Sequence, residues 1–211
     1  DHVARGEAPA GGQGPVKRLR VLVGSRPLLA VAVAVMLFWL GNAAMLPLYG
    51  LAVVATHANP FTTVASTVVV AQAVMIPASL VAMRIAQTRG YWLAILIAFT
   101  ALPVRALIAA GIITSWGIIP VQILDGVGAG MLSVAVPGMV ARILDGTGHI
   151  NVGQGAIMAA QGLGGALSPV LGGFVAQIFG FPIAFVTLGG LSLGSLVVWL
   201  GCASLLRTVG N

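Results

Sequence analysis

Two charged residues inside long apolar segments are the first candidates for chemistry in this sequence. Arg105 and Asp125 each lie in a run that otherwise contains no charged side chain. A charged side chain at the centre of a membrane-spanning helix costs about 2.5–3.5 kcal/mol to insert, so it usually has a partner or a function there. A carboxylate at that depth is also the kind of group that proton relays use. We therefore expect Asp125 to be a functional residue.

The spacing of the two charges predicts that they lie at the same depth. The turn between their runs centres near residue 115, so Arg105 comes ten residues before it and Asp125 ten residues after it. At 1.5 Å per residue, both would lie about 15 Å below the surface, near the middle of a ~30 Å hydrocarbon core. Three interpretations follow: a static pair that orients two helices, a pair that opens when Asp125 takes up a proton and releases Arg105, or two residues that never meet.

Neutral polar residues recur within the apolar runs at steps of three, four or seven, which places those of one run on one face of a helix. Such faces are candidates for a polar substrate path. The residues are Asn42, Tyr49, Gln72, Gln122, Ser133, Gln154 and Gln161. Hydrogen bonding between helices explains each of these side chains equally well.

Small residues in the fifth apolar run recur every four positions, a spacing that lets helix backbones approach closely. The candidate helix-packing residues are Gly164, Ser168, Pro169, Gly172 and Gly173. Packing within one bundle is one interpretation. The other is a sliding surface between two halves of a larger protein.

Composition assigns the chain to the membrane proteins. Of its 211 residues, 59% are hydrophobic and 7% are charged, whereas soluble domains carry about 25% charged residues. Six apolar runs are each long enough to cross a bilayer as a helix. They cover residues 27–55, 61–83, 91–114, 116–141, 152–179 and 181–206. We therefore predict an all-α, polytopic membrane protein with six transmembrane helices.

The positions of the basic residues predict topology. Nine of the ten flank the runs at one end of the predicted bundle: Arg5, Lys17, Arg18, Arg20, Arg26, Arg84, Arg89, Arg142 and Arg207. The positive-inside rule makes that end, with both termini, cytoplasmic. The expected organisation is a cytoplasmic linker with a basic cluster at 1–26, a six-helix unit at 27–207 and a cytoplasmic tail at 208–211. The net charge of +6 predicts contact with the lipid bilayer and no nucleic-acid partner, because the basic residues adjoin apolar runs.

Motifs in three places resemble one half of a major facilitator superfamily transporter. In that family the fourth helix carries Arg-x-x-Gln-Gly-x-Gly-Ala. Here Gln122 stands in place of the arginine and Asp125 in place of the glutamine, while Gly126 and Gly128 match. The fifth helix of the family carries Gly-x-x-x-Gly-Pro-x-x-Gly-Gly, and residues 164–173 match it with Ser168 in place of one glycine. The loop between the second and third helices keeps only Gly90 of the family pattern, as is usual in the second half.

The resemblance implies a fold of two inverted three-helix repeats, with this chain as the carboxy-terminal six helices of a twelve-helix protein. The chain starts at Asp1 rather than Met, which fits a piece of a longer protein. The implied function is secondary, proton-coupled transport of a small-molecule substrate across a bacterial inner membrane, in the export direction. The implied partners are the missing N-terminal half or a second copy of the chain, the substrate and protons.

Other functions have weaker support in the sequence. A homodimeric half-size transporter or a channel-like pore remains the alternative. No enzyme, cofactor or metal site is predicted. Cys202 is the single cysteine, and the three histidines have no ligand spacing. Gly190-Leu-Ser192-Leu-Gly194 has the pattern of a hydrolase nucleophile motif, but it lies within a predicted helix with no preceding strand.

Overall fold

A computed structural model describes residues 24–210, and eight α-helices lie between Arg26 and Gly210. The helices are α1 Arg26–Asn42, α2 Met45–Val54, α3 Pro60–Arg89, α4 Tyr91–Gly111, α5 Ile118–Ile143, α6 Ile150–Phe179, α7 Phe181–Gly201 and α8 Ala203–Gly210. No strand occurs between residues 24 and 210, and the all-α prediction is confirmed. Residues 1–23 of the predicted linker and Asn211 of the predicted tail lie outside the described residues.

Six segments are long and apolar enough to span a membrane, as predicted. The first span, Arg26–Val54, consists of α1 and α2 together, and α3 to α7 supply one span each. Only a helix or a closed barrel satisfies every backbone group in lipid, which is why these runs are helical. The second span is longer than the predicted run of 61–83, because α3 continues through Arg84 to Arg89.

The contacts between helices follow the symmetry of two three-helix repeats. The first repeat contains α1 to α4, and the second contains α5 to α7. The pair α3·α5 has its counterpart in α6·α1, and the pair α4·α5 has its counterpart in α7·α1. The pair α4·α7 is its own counterpart. These five pairs hold most of the contacts between helices, so the bundle is the inverted-repeat half that the sequence resemblance implied.

Glycines stand at matching places in the two repeats. Gly90 joins α3 to α4 with φ of +80°, and Gly180 joins α6 to α7 with φ of +86°. L-residues with a Cβ avoid this left-handed region, whereas glycine enters it freely. The same residue type therefore makes the same sharp connection in each repeat.

The first span is interrupted after Asn42, and a serine on another helix accepts a hydrogen bond from the interrupted backbone. Pro47 lacks an N–H and its ring clashes with the carbonyl group four residues earlier, so α1 ends at Asn42 and α2 begins at Met45. The N–H of Ala44 donates a hydrogen bond to Ser168 Oγ on α6 at 2.9 Å, and both residues are buried. The predicted run of 27–55 is therefore one membrane span, interrupted at residues 43 and 44.

The last apolar run is also divided. The sequence predicted a helix over 181–206, but α7 ends at Gly201 and the short helix α8 starts at Ala203. In α8, Leu206 is buried and the Arg207 guanidinium lies 3.9 Å from the centre of the Trp92 ring. This cation–π contact holds the end of the chain against the start of α4.

Close contact with the first span explains two of the small residues of α6. A Cβ placed on Gly164 would collide with the carbonyl oxygen of Met36 in α1. One placed on Gly172 would lie 2.8 Å from Leu48 Cδ1 and 3.0 Å from Ala44 Cβ. With Ser168, these residues form the face of α6 that packs on the first span.

The other two candidates for helix packing lie elsewhere on α6. Pro169 is exposed, and a Cβ on Gly173 would meet no atom within 4 Å. A packing role for Pro169 and Gly173 therefore stays a prediction.

The substitution Gly164→Ala tests this close contact. The added methyl group displaces the α1 backbone, so we expect a loss of about 1–3 kcal/mol in the free energy of unfolding. Gly190→Ala is the matched control, because Gly190 is exposed in the middle of α7 and its Cβ would meet nothing within 4 Å. Unfolding of purified protein in detergent by increasing SDS measures both variants. A Gly164→Ala variant as stable as Gly190→Ala would contradict the packing model.

Candidate functional site

Arg105 on α4 and Asp125 on α5 form a buried ion pair. Arg105 Nη1 lies 2.7 Å from Asp125 Oδ1, with the two side chains 1% and 14% exposed. The structure thus brings together the two charges that the spacing placed at equal depth, and it rules out the interpretation that they never meet. Their role in transport stays a prediction.

The pair lies closer to the helix ends than the spacing predicted. Arg105 comes six residues before the end of α4 at Gly111, and Asp125 comes seven residues after the start of α5 at Ile118. At 1.5 Å per residue this is about 10 Å from each helix end. The reason is the connection over 112–117, which is not helical and takes up part of the distance that was assigned to the helices.

Asn42, the last residue of α1, is the third member of the cluster. Arg105 Nη1 also donates a hydrogen bond to Asn42 Oδ1 at 2.6 Å. A guanidinium has only donors, so Asn42 must present its carbonyl oxygen here. One guanidinium nitrogen therefore links α4 to α5 and to the break in the first span.

The cluster lies in an apolar cleft. Phe38, Ala98, Leu102 and Gly128 surround it, and the cleft is too narrow for a water molecule. Arg105 Nε and Nη2 are buried with no hydrogen-bond partner among the described residues. Removing one partner of such a pair leaves an uncompensated charge and costs about 3–5 kcal/mol. The charges are therefore strongly interdependent.

A cavity of about 360 Å³ opens beside this cluster, between α1, α3, α5 and α6. Four of the predicted substrate-path residues line it: Asn42, Ser133, Gln154 and Gln161. The rest of its wall is apolar or aromatic: Phe38, Trp39, Met75, Ala129, Leu132, Val136, Pro137, Ile157 and Met158. No charged side chain of the described residues lines it, and no group of three potential metal ligands occurs within residues 24–210.

The other three predicted substrate-path residues lie outside the cavity. The Tyr49 hydroxyl donates to the carbonyl oxygen of Ile112 at 2.6 Å, at the end of the bundle where α4 stops. Gln72 is exposed on α3. Gln122 is fully buried, and its amide oxygen and nitrogen have no partner among the described residues.

Sequence reasoning missed two aromatic residues of the cavity wall, Phe38 and Trp39. Trp39 lies three residues before Asn42, and residues three or four apart share a helix face. Extending the polar face of α1 by one turn would have included both aromatic residues.

Basic side chains gather at one end of the bundle, as their positions predicted. Arg89 ends α3, Arg142 lies in the last turn of α5, and Arg207 lies in α8. Arg142 and Arg207 contact the rings of Tyr91 and Trp92 at the start of α4. Helices of both repeats therefore place their cations at the same end.

Comparison with known proteins identifies the fold. The family model of the Major Facilitator Superfamily matches residues 31–208. Two relatives from Mycobacterium tuberculosis, in the strains CDC 1551 / Oshkosh and H37Rv, are each named an uncharacterized MFS-type transporter. Each is 35% identical over 205 residues, which cover 95% of this chain and 49% of the relative. The chain thus spans about half the length of the curated relatives that it matches. With six spans in two inverted repeats, the chain belongs to the Major Facilitator Superfamily.

Proposed function

We propose that this chain is one six-span half of a secondary transporter that moves a small solute across the membrane in exchange for protons. The ion pair between Arg105 and Asp125 is the observation that carries the proposal. It is the one salt bridge of the described residues, and it lies beside the cavity. The relatives named as MFS-type transporters support the transport function.

The coupling step is an exchange of partners at Arg105. Asp125 is the more exposed member of the pair and is the one that takes up the proton. A neutral Asp125 leaves the Arg105 guanidinium without a counter-charge in an apolar cleft, an arrangement that costs several kcal/mol. Arg105 then has to move or recruit another partner. Because it also holds Asn42, its movement releases the end of α1 at the break in the first span.

A second six-span unit completes the transporter in this proposal. The spans α3 and α6 bury the smallest share of their residues, 17% each, whereas the other four bury 39–50%. Their exposed faces adjoin the cavity and match each other in the two repeats. We assign the missing N-terminal half as the occupant of these faces. A second copy of the chain is the alternative that experiment has to exclude.

The proposal also includes the direction of transport and the orientation of the protein in the membrane. The direction is export, on the resemblance of residues 164–173 to the fifth-helix pattern of the family. The basic end of the bundle faces the cytoplasm by the positive-inside rule, with both termini on that side. The membrane is a bacterial inner membrane, in keeping with the mycobacterial relatives.

Asp125→Asn tests proton coupling in the complete transporter, meaning this chain together with the half that completes it. The amide has nearly the shape of the carboxyl group but cannot take up a proton. We expect proton-driven transport to fall to background while exchange of labelled for unlabelled solute continues. Proteoliposomes with an imposed pH gradient measure the first activity, and counterflow measures the second. Wild-type proton-driven transport in this variant would eliminate the coupling role.

Charge balance at the cluster is tested by Arg105→Met alone and combined with Asp125→Leu. The single change leaves a carboxylate in an apolar cleft and should cost about 3–5 kcal/mol, whereas the double change removes both charges and should recover most of that loss. The yield of folded protein and its unfolding in SDS measure this effect. A double variant that is stable but no longer couples solute transport to protons supports the coupling role. A stable double variant with normal proton-coupled transport would show that the pair is only a static contact.

Completeness is tested by expressing residues 1–211 alone and together with the six-span half that precedes them in a full-length relative. The chain alone should insert but not transport, because its α3 and α6 faces lack a partner. Co-expression should restore solute flux. Cross-linking of single cysteines placed on α3 identifies the occupant. Robust transport by a homodimer of this chain would replace the proposed half with a second copy.

A further inference from the structure

The polar side chains that line the cavity already make hydrogen bonds within the protein, and these bonds determine what each side chain can offer a ligand. The Oδ1 atom of Asn42 accepts a hydrogen bond from Arg105 Nη1 at 2.6 Å. Because the guanidinium cannot accept a hydrogen bond, the orientation of this amide is set by chemistry. Besides the second lone pair of this oxygen, Asn42 keeps its whole Nδ2 group, which is a donor.

Two side chains on the opposite wall each use a donor within the protein and keep an acceptor oxygen. The Ser133 hydroxyl donates to the carbonyl oxygen of Gly130 at 2.8 Å. Gln154 Nε2 donates to the carbonyl oxygen of Pro137, also at 2.8 Å. Carbonyl oxygens only accept, so the atoms left to a ligand include the lone pairs of Ser133 Oγ and the acceptor oxygen of Gln154.

Trp39 also lines the α1 side of the cavity, but its indole nitrogen is not exposed to it. Its indole N–H is buried and has no partner among the described residues. Trp39 and Asn42 are three residues apart on α1, so they share a face. The cavity therefore has the Asn42 Nδ2 donor on α1 and acceptor oxygens of Ser133 and Gln154 on α5 and α6. Gln161 also lines it and makes no hydrogen bond to another described residue.

We propose that this cavity binds an uncharged solute with a hydrogen-bond acceptor directed at α1 and a donor directed at α5 and α6, such as a secondary amide on an aromatic or aliphatic body. This inference deepens the proposed transport function and rests on it. The apolar and aromatic remainder of the wall fits the body of such a molecule, and the part of the wall that this chain supplies has no charged side chain to pair with an ion.

The first test compares three small probes on the complete transporter in lipid nanodiscs. Acetanilide has both an amide carbonyl and an N–H, N-methylacetanilide lacks the N–H, and 4-acetamidobenzoate adds a charge. We expect acetanilide to bind about tenfold more tightly than either of the others, because each change leaves a polar group unpaired or a charge unmatched. Ligand-observed NMR titration gives the three affinities.

Gln154→Met removes the proposed acceptor. It should lower the affinity for acetanilide to that for N-methylacetanilide and leave the latter unchanged. Gln177→Met is the matched control, because Gln177 is exposed on the same helix and does not line the cavity. It should preserve the tenfold preference.

The second test reverses the donor on α1. In Asn42→Asp combined with Asp125→Asn, a carboxylate still faces Arg105 and the net charge is unchanged, but the cavity loses the Nδ2 donor. Acetanilide binding should fall about tenfold relative to Asp125→Asn alone, which keeps that donor. This binding readout does not depend on proton coupling, so it separates a failure of the recognition pattern from a failure of the proposed function.

Three results with the unmodified protein would overturn the inference. They are equal binding of acetanilide and N-methylacetanilide by the unmodified protein, tightest binding of the charged probe, and no binding of any of the three. Loss of binding in the Gln177→Met control would also overturn it, since the preference would then not arise in the cavity.

Discussion

The rest of this half-bundle depends on one buried cation. In the hydrocarbon core of a membrane no water is present to accept hydrogen bonds from a guanidinium. Arg105 therefore needs a carboxylate and further acceptors from the protein itself. It receives them from Asp125 on α5 and Asn42 on α1, both at Nη1. A single nitrogen atom thereby fixes the rotation of three helices about their own axes, because turning any of them would remove a partner that the membrane cannot replace.

The polar contacts also join the two repeats. Arg105 and Asn42 belong to the first repeat and Asp125 to the second. The hydrogen bond from Ala44 N–H to Ser168 Oγ crosses the same boundary at the neighbouring point of the first span. The two polar links therefore meet at the break between α1 and α2, where Pro47 has already removed intrahelical bonding.

Sequence reasoning succeeded where a one-dimensional measure is enough. Run length determines the six spans, and counting residues on either side of a short turn places Arg105 and Asp125 at one depth. It was less successful where the position of a side chain depends on the rotation of its helix or on contact with a helix distant in sequence. Spacing puts Asn42 and Tyr49 on one face of the first span, but the break at residues 43–44 separates them, so that Tyr49 bonds to Ile112. The bond between Asn42 and Arg105 joins two helices that are not neighbours in sequence, and no local pattern reports it.

Asn42 gives the site a property that neither the ion pair nor the cavity has alone. Its carbonyl oxygen belongs to the charge cluster and its amide nitrogen is left to the cavity, so a solute bound to the nitrogen also changes the hydrogen bond that Asn42 Oδ1 accepts from Arg105. Coupling between two sites is reciprocal: if solute binding weakens the Arg105–Asp125 pair by some factor, protonation of Asp125 changes solute affinity by the same factor. A planar amide transmits this effect because its two polar ends are held rigidly apart. In this proposal, the coupling between solute and proton needs no longer pathway than one asparagine side chain.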